Sequence, residues 1–310
     1  LAQTGHDAEI VIIKTTGDKI LHLPLARIGG KGLFTKEIEE ALLDGRVDLA
    51  VHSLKDLPTT LPQGLTIAAM PQREDPRDVL VGATLDALPD GAVVGTGSLR
   101  RAAQLRALRP GLVITDIRGN VDTRLRKHKD GLYHALVMAS AGLTRLGLQH
   151  EIAEYLDPLH FLPAVAQGAL AIETRHDDGA AWQAARSLHD PQAAATVDAE
   201  RALLAALGGG CQVPLGAFAS IHQDALILHA AVAASDGSRV VRMQHQGNPS
   251  NAVVIGQELA ALLLQSEAGA LIAAAHDTSA HDTSAHDTPA HDTPAHDTPT
   301  RDVPTQDIAS

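Results

Sequence analysis

Short apolar runs of strand length recur along most of this chain, at residues 47–51, Val93–Gly95, 112–117 and Ala135–Ala139. Each leads into a turn rich in Gly, Ser, Arg or Lys. After the last three, a segment with helical spacing of apolar residues follows. This alternation is the strongest constraint on the fold. It argues for an α/β architecture with helices laid on mostly parallel sheets. Residues 9–14 read as a further strand. Thr35 stands where it can cap a helix whose Ile38, Ala41 and Leu42 share one face, and Gly45 suits its end.

From about residue 196 the pattern changes. A helix to Leu207 precedes a glycine run, then strands are expected at 215–220, 225–235 and 239–245, with Asp236-Gly237 marking a hairpin. A helix over 251–265 follows, so the segment reads as a small α+β domain. The expected division is residues 1–71 with 167–188 as a first domain, 72–166 as a second, 189–274 as a third, and 275–310 as a disordered tail. The tail repeats Ala-His-Asp-Thr-Ser or Ala-His-Asp-Thr-Pro and has too little apolar surface to offset chain entropy. No metal site is assigned to it.

Charge is unevenly placed. The chain carries a formal −12, of which seven Asp and one Arg beyond residue 275 contribute −6. Residues 100–129 nevertheless hold nine of its 25 Lys and Arg. A basic island in an acidic chain, with aromatics at 2%, suits a small anion better than nucleic acid. No long apolar stretch suggests a membrane span, and no secretory signal is visible, so a cytoplasmic location is expected. Arg100 and Arg101 fall in the first turn of a helix, where cations oppose the helix dipole and call for a separate reason. Arg118 and Arg124 follow the next strand, and Lys31 sits in a glycine loop suited to closing over anions. Guanidinium forks of this number suit a ligand with several carboxylates. Lys55-Asp56 puts a cation and a carboxylate at the mouth of the same crevice, where Asp56 is either a turn residue or a group that stabilises a positive intermediate. Cys211, the one cysteine, lies on Gly208-Gly209-Gly210 and is presented as an attachment point or nucleophile. His52 reads as structural.

In order along the chain stand GGKGLF at 29–34, AVHSLKDLP at 50–58, REDPRD at 73–78, GTGSLRR at 95–101, RGNVDTR at 118–124, LPAVAQG at 162–168 and GGCQVP at 209–214. With these the chain resembles the porphobilinogen deaminase (hydroxymethylbilane synthase) family over about residues 9–274. The resemblance implies two periplasmic-binding-protein-like domains with the crevice between them, and a monomer. It also implies a dipyrromethane cofactor joined by a thioether to Cys211, on which four porphobilinogens are linked head to tail with loss of ammonia. It makes Asp56 the catalytic carboxylate. Lys55, Ser98, Arg100, Arg101 and Arg124 become binders of the cofactor carboxylates. Arg118 and Arg175, with Arg124 shared and Lys31 added, become binders of substrate or growing chain. Two departures stand out. The family's opening strand, with a motif like IATRxSPLALWQA, is not in this sequence, so the first domain is expected to be N-terminally incomplete. Gly97 occupies a place where serine is common. The competing readings are a two-domain binding protein for a small polycarboxylate and an inactive relic of the enzyme.

Overall fold

The computed structural model describes residue 5 and residues 7–16, 35–176, 179–208 and 213–284, with side chains through 277. Lys31 and Cys211, with most of their loops, lie outside the described residues, as do residues 285–310. In chain order, α1 (Lys36–Leu43), β1 (Leu49–Ser53) and β2 (Leu65–Ala69) come first, with a 3-10 turn, Leu54–Asp56, directly after β1. There follow β3 (Asp78–Val81), β4 (Val93–Gly95), α2 (Leu99–Leu108), β5 (Val113–Thr115), α3 (Val121–Lys129), β6 (Ala135–Ala139), α4 (Ser140–Arg145) and β7 (Ile152–Tyr155). Then come β8 (Leu170–Arg175), α5 (Ala180–Arg186), α6 (Pro191–Ala206), β9 (Leu215–His222), β10 (Ala225–Ala233), β11 (Val240–Gly247), α7 (Ala252–Gln265) and α8 (Glu267–Ser284).

The expectation of mostly parallel sheets is wrong. Among the described residues only β4 pairs in parallel, with β5 on one side and β6 on the other, in a five-stranded sheet ordered β5-β4-β6-β3-β7. These three strands are joined by α2 and α3, and each strand–helix–strand unit returns the chain in the same direction. β3 enters the sheet antiparallel to β6 and β7 pairs antiparallel with β3. In the first sheet, β8 fills the centre between β1 and β2 and runs against both. Periodicity reports that a segment is a strand, and not which way a strand crossing from another unit will run.

Residues 9–14, expected as a strand, pair with no strand among the described residues, and Ile10 and Ile12 are 88% and 85% exposed. The boundary expected at 275 is displaced, since the helix α8 runs to Ser284, into the repeat. The first two repeat units end in Ser279 and Ser284, whereas Pro stands at 289, 294 and 299. Proline costs about 3 kcal/mol in a helix interior and serine far less.

The third sheet, β11-β10-β9, is an antiparallel meander as expected. Its inner residues Leu226 and Leu228 join Leu203 of α6, Leu259 and Leu263 of α7 and Ile272 of α8 in the largest apolar core, which also takes in Leu54 and Leu57. Among the described residues no single helix is long and apolar enough to cross a membrane, and the α7–α8 pair, bent by 88°, packs into this core. Its hairpin glycine, Gly237, has φ +78° and sits so close to α2 that a Cβ would meet Arg106 Cβ at 2.5 Å. α6 starts on Asp190, whose carboxylate accepts the N–H groups of Gln192 and Ala193, with Pro191 in the first turn.

One buried carboxylate ties the units together. Glu200 of α6 is fully buried and accepts both arms of the Arg73 guanidinium, at 2.8 and 3.0 Å. It also accepts the backbone N–H of Ala166 at 2.7 Å and of Ala219 at 2.8 Å. Replacing Glu200 by Ala orphans a buried cation and two backbone donors. The expected loss is about 3–5 kcal/mol, out of a total of about 5–15 kcal/mol, read from urea unfolding. A loss below about 1 kcal/mol would place this contact among the minor ones.

Candidate active site

The chemistry-bearing turns all follow strands. β1 ends with Ser53 opposite Leu170, and the Leu54 N–H donates to the Ala169 carbonyl at 3.1 Å. This pins the 3-10 turn, with Leu54 buried beneath it, Asp56 exposed, and Lys55 between. β4, β5 and β6 run in parallel, so the turns carrying Ser98, Arg118 and Ser140 leave the second sheet at one edge. Ser98 caps α2, accepting the Arg101 N–H.

Arg100 and Arg101 are 6% and 7% exposed, and their partner is Asp78, which is fully buried at the start of β3. Asp78 Oδ2 accepts from Arg100 Nη1 at 2.7 Å, and Oδ1 accepts from Arg101 Nε and Nη2 at 2.9 and 2.6 Å. Burial alone would raise the Asp78 carboxyl. The two guanidinium charges outweigh it and hold the group well below the usual carboxylate range. Gln167, 1% exposed, closes the network. Its amide nitrogen donates to Asp78 Oδ1 at 2.9 Å and to the Pro76 carbonyl at 2.8 Å. Its amide oxygen accepts from Arg101 Nη2 at 3.3 Å and from Lys55 Nζ at 3.4 Å. Gly168, next in the chain, has φ +87°, and a Cβ there would meet the Glu74 carbonyl oxygen at 2.3 Å, so only glycine lets these two segments touch.

Lys55 and Arg124 share this environment. Burial lowers Lys55; Asp56 and Asp78 oppose that, while Arg101 and Arg100 add to it. Burial likewise lowers Arg124, which also feels Arg101, Asp116, Arg118 and Asp56. Arg124 Nε donates to the Gly119 carbonyl at 2.6 Å. Among the described residues Arg118 Nη2 is buried with no hydrogen-bond partner. The structure thus brings Lys55, Asp56, Ser98, Arg100, Arg101, Arg118 and Arg124 into one charged neighbourhood.

Arg175 is not among them. It follows Thr174, which pairs with Leu49, whereas Lys55 follows Ser53 at the other end of the same strand pair. At about 3.4 Å per residue that is roughly 17 Å away. Its guanidinium donates to the carbonyls of Leu42 and Val47 and to Asp48. His52 is buried in the first sheet against Glu173, Nε2 to Oε2 2.9 Å, which agrees with a structural role. Sequence reading missed Asp78 and Gln167. It also missed Arg145 of α4, whose Nη2 donates to the Gly168 carbonyl at 2.8 Å.

Comparison with known proteins bears on the same residues. The family described as "Porphobilinogen deaminase, dipyromethane cofactor binding domain" matches residues 1–183, and "Porphobilinogen deaminase, C-terminal domain" matches 194–265. A porphobilinogen deaminase of Syntrophobacter fumaroxidans is 51% identical over 267 residues, 85% of this chain and 86% of that protein. Those of Roseiflexus castenholzii and Methylobacillus flagellatus are 52% and 50% identical, over 88% and 86% of this chain and 90% and 88% of theirs. Among solved structures, a TRAP periplasmic solute binding protein from Desulfovibrio salexigens aligns at 13% identity with a TM-score of 0.34, over 52% of this chain and 60% of that one. That level supports no conclusion.

The depressed Asp78 carboxyl has a consequence for stability. A carboxyl whose folded value lies below its unfolded one contributes fully above the unfolded value, and its contribution is lost as pH falls through the folded one. The stability of the chain should therefore fall from about pH 4 downward, and Asp78→Asn should flatten that part of the curve. Equal acid slopes for parent and variant, by urea unfolding at stepped pH, would remove Asp78 from the account.

Proposed function

The chain belongs to the porphobilinogen deaminase family, and on that premise we propose how its residues divide the work. The reaction joins four porphobilinogen molecules head to tail, releasing ammonia at each joining, and water then frees the chain from the primer as hydroxymethylbilane. The observation that carries the site assignment is the excess of buried cations at the crevice, one of which, Arg118, has a buried and unpartnered Nη2. Each pyrrole of the substrate bears an acetate and a propionate, so a dipyrromethane brings four carboxylates to this wall, and the residues present fit such a group. When bound, the dipyrromethane supplies the terminal pyrrole carbon to which the chain is extended. Attachment to Cys211 rests on the GGCQVP motif and on family membership.

Lys55, Ser98, Arg100, Arg101 and Arg124 hold the primer carboxylates, and Arg118, with Arg124 and Lys31, holds those of the incoming substrate. Arg175 is left out of this set on its position. Asp56 is exposed at the crevice and close enough to Lys55 and Arg124 to interact with both. Its carboxylate stabilises the positive charge left on the substrate's aminomethyl carbon as ammonia departs, and takes part in moving the proton from the attacked pyrrole. Three domains with the boundaries given above, a cytoplasmic location and a monomeric state complete the reading. Family membership displaces a solute-binding module as the alternative.

Two variants test the assignment. Asp56→Asn should keep the melting temperature and lose about 10²-fold or more in turnover, as removal of one preorganised charge does. Cys211→Ala should lack both turnover and the added mass of two pyrrole units seen in intact-mass spectra of the parent. Normal turnover in folded Asp56→Asn would return that residue to a turn role, and normal turnover in Cys211→Ala would end the attachment assignment.

A further inference from the structure

We propose that Asp78 is the positioning residue of the carboxylate-binding wall. It fixes Arg100 so that the Nε–Nη2 edge of that guanidinium is left for a ligand carboxylate, and it holds Arg101 as a fixed positive charge. The proposal rests on the reading of the crevice as the primer site.

The donor inventory carries it. A guanidinium has five N–H donors, one on Nε and two on each Nη. Arg101 spends its Nε on Asp78 and its Nη2 on Asp78 and on Gln167 Oε1. Its Nη1 donates to the Val137 carbonyl at 3.1 Å, which leaves a single N–H. Arg100 is used differently. Nη1 donates to Asp78 Oδ2 and to the Leu162 carbonyl at 2.6 Å, and among the described residues Nε and Nη2 have no partner. Those two atoms form the side-on fork that grips a carboxylate with two parallel hydrogen bonds. Asp78 thus consumes the face of Arg101 that could grip and leaves the gripping face of Arg100 open.

Charge argues in the same direction. Asp78 is one carboxylate set against two buried guanidinium groups, with Lys55 joined through Gln167. Adjacent like charges in a buried site would drive each other towards water unless an anion held them. One anion holds them without cancelling them, so the wall stays positive in a fixed geometry before any ligand arrives. A site so preorganised spares its ligand the ordering of long side chains.

The test is a double-mutant cycle on the full chain, with Asp78→Asn, Arg100→Gln and the pair. Initial rates over a range of porphobilinogen concentrations, intact mass and melting temperature are measured for each. Asp78→Asn should lose about 10²-fold in kcat/KM, the scale of a misplacement of about 1 Å. In the Arg100→Gln background the same change should cost less than about 3-fold, because the fork that Asp78 positions is gone. Independent, multiplying losses would show that Asp78 does not act through Arg100, and normal kcat/KM in Asp78→Asn would overturn the proposal outright. Should Asp78→Asn not fold, comparison of the pair with Arg100→Gln alone keeps the question open to refutation, since a large further loss there counts against it. A parent chain without the two-pyrrole mass would instead overturn the primer reading, and this proposal with it.

Discussion

A carboxylate with no exposure to water must be paired, and two such groups, Glu200 and Asp78, organise this molecule. Each stands on one element and collects donors from others. Glu200 on α6 takes Arg73 from the strand-to-sheet connection, Ala166 from the segment returning to the first sheet, and Ala219 from β9. Asp78 on β3 takes Arg100 and Arg101 from α2 and Gln167 from that same returning segment. Gln167 is common ground, since its carbonyl oxygen also accepts Arg73 Nε at 3.0 Å. The two networks therefore share one residue, and the crevice wall is continuous with the contacts that hold the three sheets in register.

This arrangement shows why part of the molecule was legible in the sequence and part was not. The turns were legible because they combine glycine, serine and charge directly after apolar runs, and Lys55, Asp56, Ser98, Arg100, Arg101, Arg118 and Arg124 do meet. Strand direction was not, because β8 reaches the first sheet from far along the chain and the alternation of apolar residues is the same for either direction. Arg175 joined the substrate set through the family resemblance alone, and because β8 runs against β1 it stands at the far end of that strand pair from Lys55.

Asp78 and Gln167 left a signal that was available. Asp78 opens the run Val79-Leu80-Val81, and Gln167 interrupts an otherwise apolar stretch from Leu162 to Ala171. A charge or amide heading into a buried strand needs a partner, and α2, the only helix among the described residues opening on consecutive arginines, needed a carboxylate. Each anomaly was visible alone. Together they predict the contact. The helix dipole supplies the missing constraint: two cations at the amino end of α2 are unfavourable unless an anion stands beside them.

The same economy of partners reaches the turn bearing Lys55 and Asp56 from the opposite side. Arg201, one residue past Glu200 on α6, donates from Nη1 to the Leu57 carbonyl at 3.1 Å and from Nη2 to the Pro58 carbonyl at 2.7 Å. Burial depresses its guanidinium, and Asp198 one turn earlier opposes that. The turn bearing Lys55 and Asp56 is thus held by Leu54 in the core beneath it, by Gln167 through the Lys55 side chain, and by Arg201 at its carboxyl end. Its exposed member, Asp56, is left to move by its own side-chain rotation alone. An exposed carboxylate on a turn fixed at three points can meet a charge that develops at one place, which is the condition under which electrostatic stabilisation accelerates a reaction instead of merely tightening binding.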